Sequence, residues 1–383
     1  MPDTLAEGFR LLVVTPFMET GGAEKVVFDL AKGFANRGHQ IDVASRDGHL
    51  VSRLRAQGIG HQAIDGLGAK NPLVMLRNAL ALRKVISRIA PTVINIHAYS
   101  LLPVVRLALL GLRQRPRLVF TLHIPERDSY FPIMARTISL LCDHTISVCA
   151  WSRDKLVEEG ADGHRISVVY NGVDADYYRA DRDPVAQQRK LRIGTVARMV
   201  ARKGHATLLR SLAVLRESGQ DVVESVHHFG DGPERANLEA MTDALGLAAM
   251  TTFHGDCADV RDAYKSIDVM ILASTSEGLP LTVLEAMSAG VLVSATPVNG
   301  VPEVLRDHDT GRIFPVGDDV ALAQTIVGLY QDPVSRQKMT QDALRLVRSQ
   351  FSMASMLDGY AAIFSGDPEA EKANKKQISN AES

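Results

Sequence analysis

A chain of 383 residues exceeds what one hydrophobic core usually organises, so the length favours two domains. With 46% hydrophobic and 23% charged residues and a formal net charge of -1, it reads as globular and lacks the basic excess behind nonspecific nucleic-acid binding. Cys142, Cys149 and Cys257 are too few and too scattered for a disulfide framework or a four-cysteine zinc site, and they read as buried thiols.

In chain order, the start "MPDTLAEGFRLLVV" puts acids before a short apolar run, unlike a secretory signal, so a cytoplasmic location is expected. "LLVVTP" then reads as a buried strand ending in a glycine-bearing turn, and "AEKVVFDLAKGFANRG" repeats apolar residues at helical spacing. The β-rich runs "QIDVAS", "TVINIH", "RLVFTL", "HTISV" and "ISVVY" follow, separated by helical stretches such as Leu73 to Ile89 and Trp151 to Glu159. The apolar run "LLPVVRLALLGL" is interrupted by Pro103 and Arg106 and is too short to span a membrane. Strands alternating with helices predict a parallel sheet covered on both faces.

The polar segment "NGVDADYYRADRDPVAQQRK" breaks the alternation and marks a linker. The pattern restarts with "LRIGTVAR", a helix over His205 to Glu217, "ESVHHFG", a helix over Glu234 to Leu245, "MTTFHG", "DVMILAS", a helix opening near Leu281, and "VLVSAT". The expected organisation is α/β throughout: a first domain over 1–180 and a second over 181–350. A terminal helix over 351–366 is expected to pack back on the first domain, followed by a disordered tail over 367–383. Ligands of such sheets collect beyond the carboxyl ends of the strands, so the functional residues should cluster there.

The stretch "SEGLPLTVLEAMSAG" sets Glu277 in a turn and Glu285 in the helix that the turn opens. Glycoside-hydrolase carboxylates flank one bond at roughly 5 to 10 Å, whereas a helical advance from Glu277 to Glu285 would be about 12 Å. That spacing suits an extended ligand with hydroxyl groups at both ends. The free N–H groups of the helix start lie between them and suit an anion. A nucleotide-diphosphate sugar has this layout. "VARMVARKGH" supplies cations for the diphosphate: Arg198 at a strand end and Lys203 at the entry to the next helix, with Gly204 letting the backbone turn closely. The two could neutralise a leaving diphosphate without a metal.

Six motifs run in a fixed order: "GGAEKVV" (Gly21 to Val27), "NGVD" (Asn171 to Asp174), "ARMVARKG" (Ala197 to Gly204), "GDGPER" (Gly230 to Arg235), "SEGLPLTVLEAMSAG" and "VNGVPEVL" (Val298 to Leu305). Together they make the chain resemble family 4 of the retaining glycosyltransferases. That family has the GT-B fold, two Rossmann-like domains whose parallel sheets face across a deep cleft. The resemblance implies a retaining, metal-independent and cofactor-free transferase. It would move a hexose-type sugar from a nucleotide-diphosphate donor to a hydroxyl acceptor in polysaccharide or glycolipid synthesis. The first domain would serve the acceptor and the second the donor. Arg198 and Lys203 would bind the donor diphosphate, Glu277 would hold sugar hydroxyls, and the backbone of Gly278, Leu279, Pro280 and Leu281 would contact sugar and phosphate. Glu285 would hold the ribose, Gly21 and Gly22 would let the first turn approach donor phosphate or acceptor, and His123 would sit near the sugar. The family usually follows that histidine with a polar residue, where this chain has Ile124 and Pro125.

Other residues admit competing readings. Glu285 sits among Leu284, Ala286, Met287 and Ala289, and a carboxylate there needs a partner. Asp174 and Asp176 of "DAD" imitate a metal-binding pair, but they lie in the "NGVD" loop and no catalytic metal is expected. His227 and His228 are neighbours on a strand and point to opposite faces, so they cannot share one ion. His97, ending "TVINIH", is expected on the acceptor side. No acid falls between Asp65 and Glu126, a span holding Lys70, Arg77, Arg83, Lys84, Arg88, Arg106, Arg113, Arg115 and Arg117. Three readings of this span stay open: an ordinary solvated face, a surface that docks at the inner face of an anionic membrane, or a site for a phosphate-bearing acceptor such as a lipid-linked diphosphate. Rival functions are a nucleotide-sugar epimerase of the same build and a non-catalytic sugar-nucleotide sensor. An NAD-dependent dehydrogenase is disfavoured, because "GGAE" lacks the three-glycine spacing.

Overall fold

The apolar runs fold as parallel strands of two sheets. The computed structural model describes residues 8–124, 128–180, 189–257 and 259–367. Residues 181–188 of the expected linker and the expected tail beyond Asp367 lie outside the described residues. The described chain forms two compact units, residues 8–171 with 353–367, and residues 172–352. The division thus falls inside "NGVD" and not after residue 180. The physical tie is local: Val173 N–H donates to the Phe351 carbonyl at 2.9 Å, and Val173 bridges to Ser352.

In the first unit the strands are β1 (Arg10–Val14), β2 (Gln40–Ser45), β3 (Gly60–Ala63), β4 (Val93–Ile96), β5 (Arg117–Leu122), β6 (His144–Ser147) and β7 (Ile166–Val168). They lie in the order β3-β2-β1-β4-β5-β6-β7, all parallel. All four residues of β4, "VINI", are buried, as a strand covered on both faces requires. Leu12, Ile94 and Phe120 pack there against Leu82 and Ile86 of the Pro72–Ile89 helix. The Met353–Ser365 helix belongs to this unit: a Cβ on Gly33 would meet Leu357 at 2.5 Å, and Arg37 pairs with Asp358 at 2.7 Å.

The second unit holds β8 (Leu191–Val196), β9 (Val223–Phe229), β10 (Thr251–Gly255), β11 (Val269–Leu272), β12 (Leu292–Ala295) and β13 (Arg312–Ile313), in the order β10-β9-β8-β11-β12-β13. Its core joins Ile193, Val226 and Ile271 to Leu208 and Leu212 of the His205–Glu217 helix and to Ile326. Each sheet reverses its strand order once, between β1 and β4 and between β8 and β11, and loops leaving strands at such a point flank a ligand crevice. Cys142 and Cys149 are buried as expected, whereas Cys257 is exposed because it follows β10 into a surface loop. No described helix is long and apolar enough to cross a membrane.

Candidate functional site

The loops leaving β8 and β11 meet at the second unit's reversal point. After β8, Arg198 is exposed, and among the described residues its guanidinium makes no hydrogen bond or ion pair. A short turn, Ala201–Lys203, then leads to Gly204 at φ +68, where a Cβ would lie 1.9 Å from the Ala273 carbonyl oxygen. Only glycine fits that combination of left-handed backbone and close approach. It presses the β8 loop onto the end of β11, and Thr275 N–H closes the seam on the Arg202 carbonyl at 2.9 Å. "GDGPER" backs the loop from the other side: Cβ atoms on Gly230 and Gly232 would meet the Ala197 and Met199 carbonyl oxygens at 2.3 Å.

This packing brings Lys203 to Glu277. Lys203 Nζ lies 2.5 Å from Glu277 Oε1, and Ser274 Oγ donates to the same oxygen at 2.6 Å. Glu277 is only 4% exposed, so the pair is a nearly dry, charge-assisted contact. The next helix, Leu281–Ser288, begins after Pro280 with no side chain capping its first N–H groups. Leu279 and Leu281 are buried, while Gly278 is partly open.

Glu285 is buried in that helix, and its partners are tyrosines. Tyr178 donates to Oε1 and Tyr264 to Oε2, both at 2.9 Å. Burial, reinforced by the Glu285 charge, holds the Tyr264 hydroxyl well above the usual tyrosine range. Tyr178 arrives through "NGVD": Asp174 caps the Ala175–Tyr178 helix by accepting from Asp176 N and Tyr177 N, and Asp176 pairs with Arg348 at 2.8 Å. The "DAD" carboxylates are therefore engaged in a cap and an ion pair. Sequence reasoning saw that Glu285 needed a partner but not which one, because Tyr178 lies 107 residues away.

In the first unit, Gly21 precedes the Gly22–Asn36 helix, and a Cβ on it would meet the Glu24 carboxylate at 2.0 Å, whereas Gly22 faces open space. The chain's own carboxylate therefore occupies the space beside Gly21. His97 and His123 are brought together by adjacent strands: His97 Nδ1 lies 2.9 Å from His123 Nε2, and His97 Nε2 lies 2.6 Å from Asn95 Oδ1. Asn95 Nδ2 donates to the Val119 carbonyl at 3.2 Å and to Thr121 Oγ1 at 2.9 Å, which fixes its amide orientation. Its oxygen must then accept from His97 Nε2–H, so His97 Nδ1 accepts from His123 Nε2–H. That leaves His123 Nδ1 as a lone pair, with no described protein donor. Burial pushes His123 down to about 4 and His97 well below its usual range, the nearby His123 adding to the latter. Asn95 escaped notice, although an amide inside a fully apolar strand, on the same face as His97, was a usable signal.

His227 and His228 do point to opposite faces. His227 is partly exposed and 3.0 Å from His254, whereas His228 is fully buried and 3.0 Å from His205.

Comparison with known proteins follows this architecture. The profile of Glycosyltransferase Family 4 matches residues 20–177 and that of Glycosyl transferases group 1 matches residues 179–345. The lipopolysaccharide core biosynthesis glycosyltransferase LpsD of Rhizobium meliloti is 30% identical over 169 residues, 44% of this chain and 48% of the relative. The N-acetyl-alpha-D-glucosaminyl L-malate synthase of Bacillus anthracis is 27% identical over 203 residues, 52% of this chain and 53% of the relative. The chain spans about half the length of the curated relatives it matches. A glycosyltransferase structure from Rickettsia africae superposes with a TM-score of 0.81 at 23% identity, covering 94% of this chain and 99% of the other. Anabaena HepE, solved in complex with UDP-glucose, gives 0.80 at 21% identity, covering 94% and 100%. With one profile on each half of the chain and two parallel sheets of matching fold, the protein belongs to the family 4 type of glycosyltransferases and has the GT-B fold.

Proposed function

We propose that the chain transfers a hexose-type sugar from a nucleotide-diphosphate donor to a hydroxyl acceptor, with retention and without a metal, in polysaccharide or glycolipid synthesis. The observation that carries this reading is the meeting of Lys203, Glu277 and Ser274 beside an uncapped helix start, with the Arg198 guanidinium unengaged nearby in sequence. Lysine has three donors, so Lys203 keeps Glu277 and still offers N–H groups to a phosphate. Arg198 adds a planar fork. Together they stabilise charge on the departing diphosphate, while Glu277 accepts from sugar hydroxyls and the Gly278–Leu281 backbone donates to sugar or phosphate. Glu285, held by two tyrosines, is an acceptor for the ribose. His123 Nδ1 suits a sugar hydroxyl, with His97 acting through it. Retention and metal independence rest on the family resemblance.

HepE's complex with UDP-glucose makes that donor the first probe. Thermal shift across a panel of nucleotide sugars should pick out one donor, and mass spectrometry should then find its sugar on an added acceptor. An altered sugar nucleotide formed without an acceptor would replace transferase with epimerase, and a donor bound but never turned over would leave a sensor.

The acceptor end of this reading is a membrane. The exposed face of the Pro72–Ile89 helix carries Leu73, Leu76 and Leu80, at 78%, 48% and 56% exposure, beside Arg77, Lys84 and Arg88. The adjoining Leu102–Ala108 helix and its exit expose Leu107 and Leu110, and Arg83 bonds the Ala108 carbonyl between them. Apolar and basic groups interleaved on one face suit an anionic lipid interface, consistent with a peripheral enzyme at the inner face of a membrane. Sedimentation should be strong with vesicles containing anionic lipid and weak with neutral ones, and Leu73→Ser with Leu76→Ser should abolish it. Negligible binding to both vesicle types would refute the membrane assignment.

A further inference from the structure

The Arg198 loop is braced from within by a histidine pair that the donor-site chemistry does not use. His205 Nδ1 and His228 Nδ1 are 3.0 Å apart in the core, where the two rings are 3% and 0% exposed. A contact between two ring nitrogens needs one proton, and its owner can be identified. His205 Nε2 lies 3.3 Å from the Arg198 carbonyl oxygen, which can only accept, so His205 carries its proton on Nε2. Its Nδ1 is then a lone pair, and His228 Nδ1–H must donate to it. The other His228 nitrogen, Nε2, is buried without a partner, as fits a lone pair and not a stranded N–H. Burial pushes His205 to about 4 and His228 to about 3, so both rings are uncharged at neutral pH. The His228 ring is itself immobilised by stacking on Phe253, at 4.8 Å and 11°.

We propose that His205 and His228 are positioning residues for the phosphate loop, a tautomer-locked pair that holds the Arg198 carbonyl and thereby aims its guanidinium at the donor diphosphate. The proposal rests on the donor-site reading above. The Arg198 carbonyl receives two donors, Val200 N–H at 2.9 Å and His205 Nε2–H, so the loop is fixed on both sides of its turn.

Calorimetric titration of inorganic pyrophosphate and of UDP tests this. His205→Leu should weaken both about tenfold, the worth of one lost hydrogen bond to a functional loop. His205→Gln, which keeps an acceptor and a donor, should recover most of the loss. In an Arg198→Ala background, His205→Leu should cost nothing further, because a positioning residue acts only through what it positions. An equal loss in that background, or no loss at all, would overturn the proposal while leaving the donor site standing. A wild-type chain that binds neither probe would remove the donor site and this proposal together. Should His205→Leu fail to fold, nitrogen NMR of the wild-type histidines decides: His228 must carry its proton on Nδ1 and His205 on Nε2, and the reverse assignment overturns the pair.

Discussion

Both units join histidine rings near the carboxyl ends of their strands, yet the two pairs run in opposite directions. In the first unit the donors point inward, from His123 to His97 to the Asn95 oxygen, and the chain ends outward in a lone pair. In the second the donors point outward, from His228 to His205 to the Arg198 carbonyl, and the inner end is a lone pair with no partner. The direction is imposed by a single group in each case. A side-chain oxygen deep in the first sheet draws protons inward, whereas a backbone carbonyl at the rim of the second draws them outward. One pair therefore ends in an open acceptor, which the proposed function gives to a sugar hydroxyl, and the other spends its donor on holding a loop.

The second unit also holds the largely buried Lys203–Glu277 contact, and removing it should have the largest effect. Lys203→Ala is expected to lower turnover about a hundredfold, near 3 kcal/mol, as loss of a charged transition-state contact. It should also destabilise the fold by roughly 3 kcal/mol, because it leaves the Glu277 carboxylate buried and unpaired. Lys203→Met combined with Glu277→Gln should restore stability, measured by urea unfolding, without restoring turnover. Recovery of both would make the pair a structural feature.

What could be seen in the sequence, and what could not, divides along the same physical line. Strand interiors such as "VMIL" and, apart from its one amide, "VINI" were visible because burial on both faces demands apolar residues. The edge strands β3, "GHQA", and β13, "RI", were not, since a short edge carries no such demand. Lys203 and Glu277 were each expected to serve one ligand because each follows a strand end, but their direct contact was not foreseen. The partners of Glu285, the Asn95 amide behind His97 and the His205 contact with Arg198 are made by tertiary packing, and no spacing rule in one segment encodes a group from another. Glu24 shows the converse. It lies three residues from Gly21 in the same motif, and its carboxylate fills the space where a Gly21 side chain would stand.

A smaller effect should come from reversing the direction of the first pair. Asn95→Leu strands the His97 Nε2–H in the core, which costs about 2 kcal/mol unless the ring exchanges its proton to Nδ1. That exchange would turn His97 Nδ1 into a donor and force His123 Nε2 to become the acceptor, so His123 would present an N–H outward. Nitrogen NMR should show both rings changing tautomer, and activity should fall through a weaker sugar contact. Unchanged tautomers in this variant would mean that the inner group does not set the direction, and the contrast between the two units would lose its cause.

A further expected effect is a shared one, on acid stability. His123 and His205 are held at about 4, His228 at about 3 and His97 well below its usual range, all chiefly by burial. The unfolded chain would protonate these rings near 6.5, so between there and about 4 it binds protons that the folded chain refuses. Stability from the four rings is therefore complete above about pH 6.5 and drains as the pH falls toward 4. The Asp268 carboxylate titrates elsewhere: burial opposes its charge, but hydrogen bonds from Arg192 and Arg189 outweigh that and keep it below the ordinary range, so its contribution is lost only at lower pH. Melting temperature should thus decline from pH 6.5 to 5, before that carboxylate responds. His228→Phe, which keeps the stack on Phe253, should make the decline shallower. A flat profile over that interval would mean that the folded rings accept protons, and neither pair could then hold the fixed proton arrangement on which its direction depends.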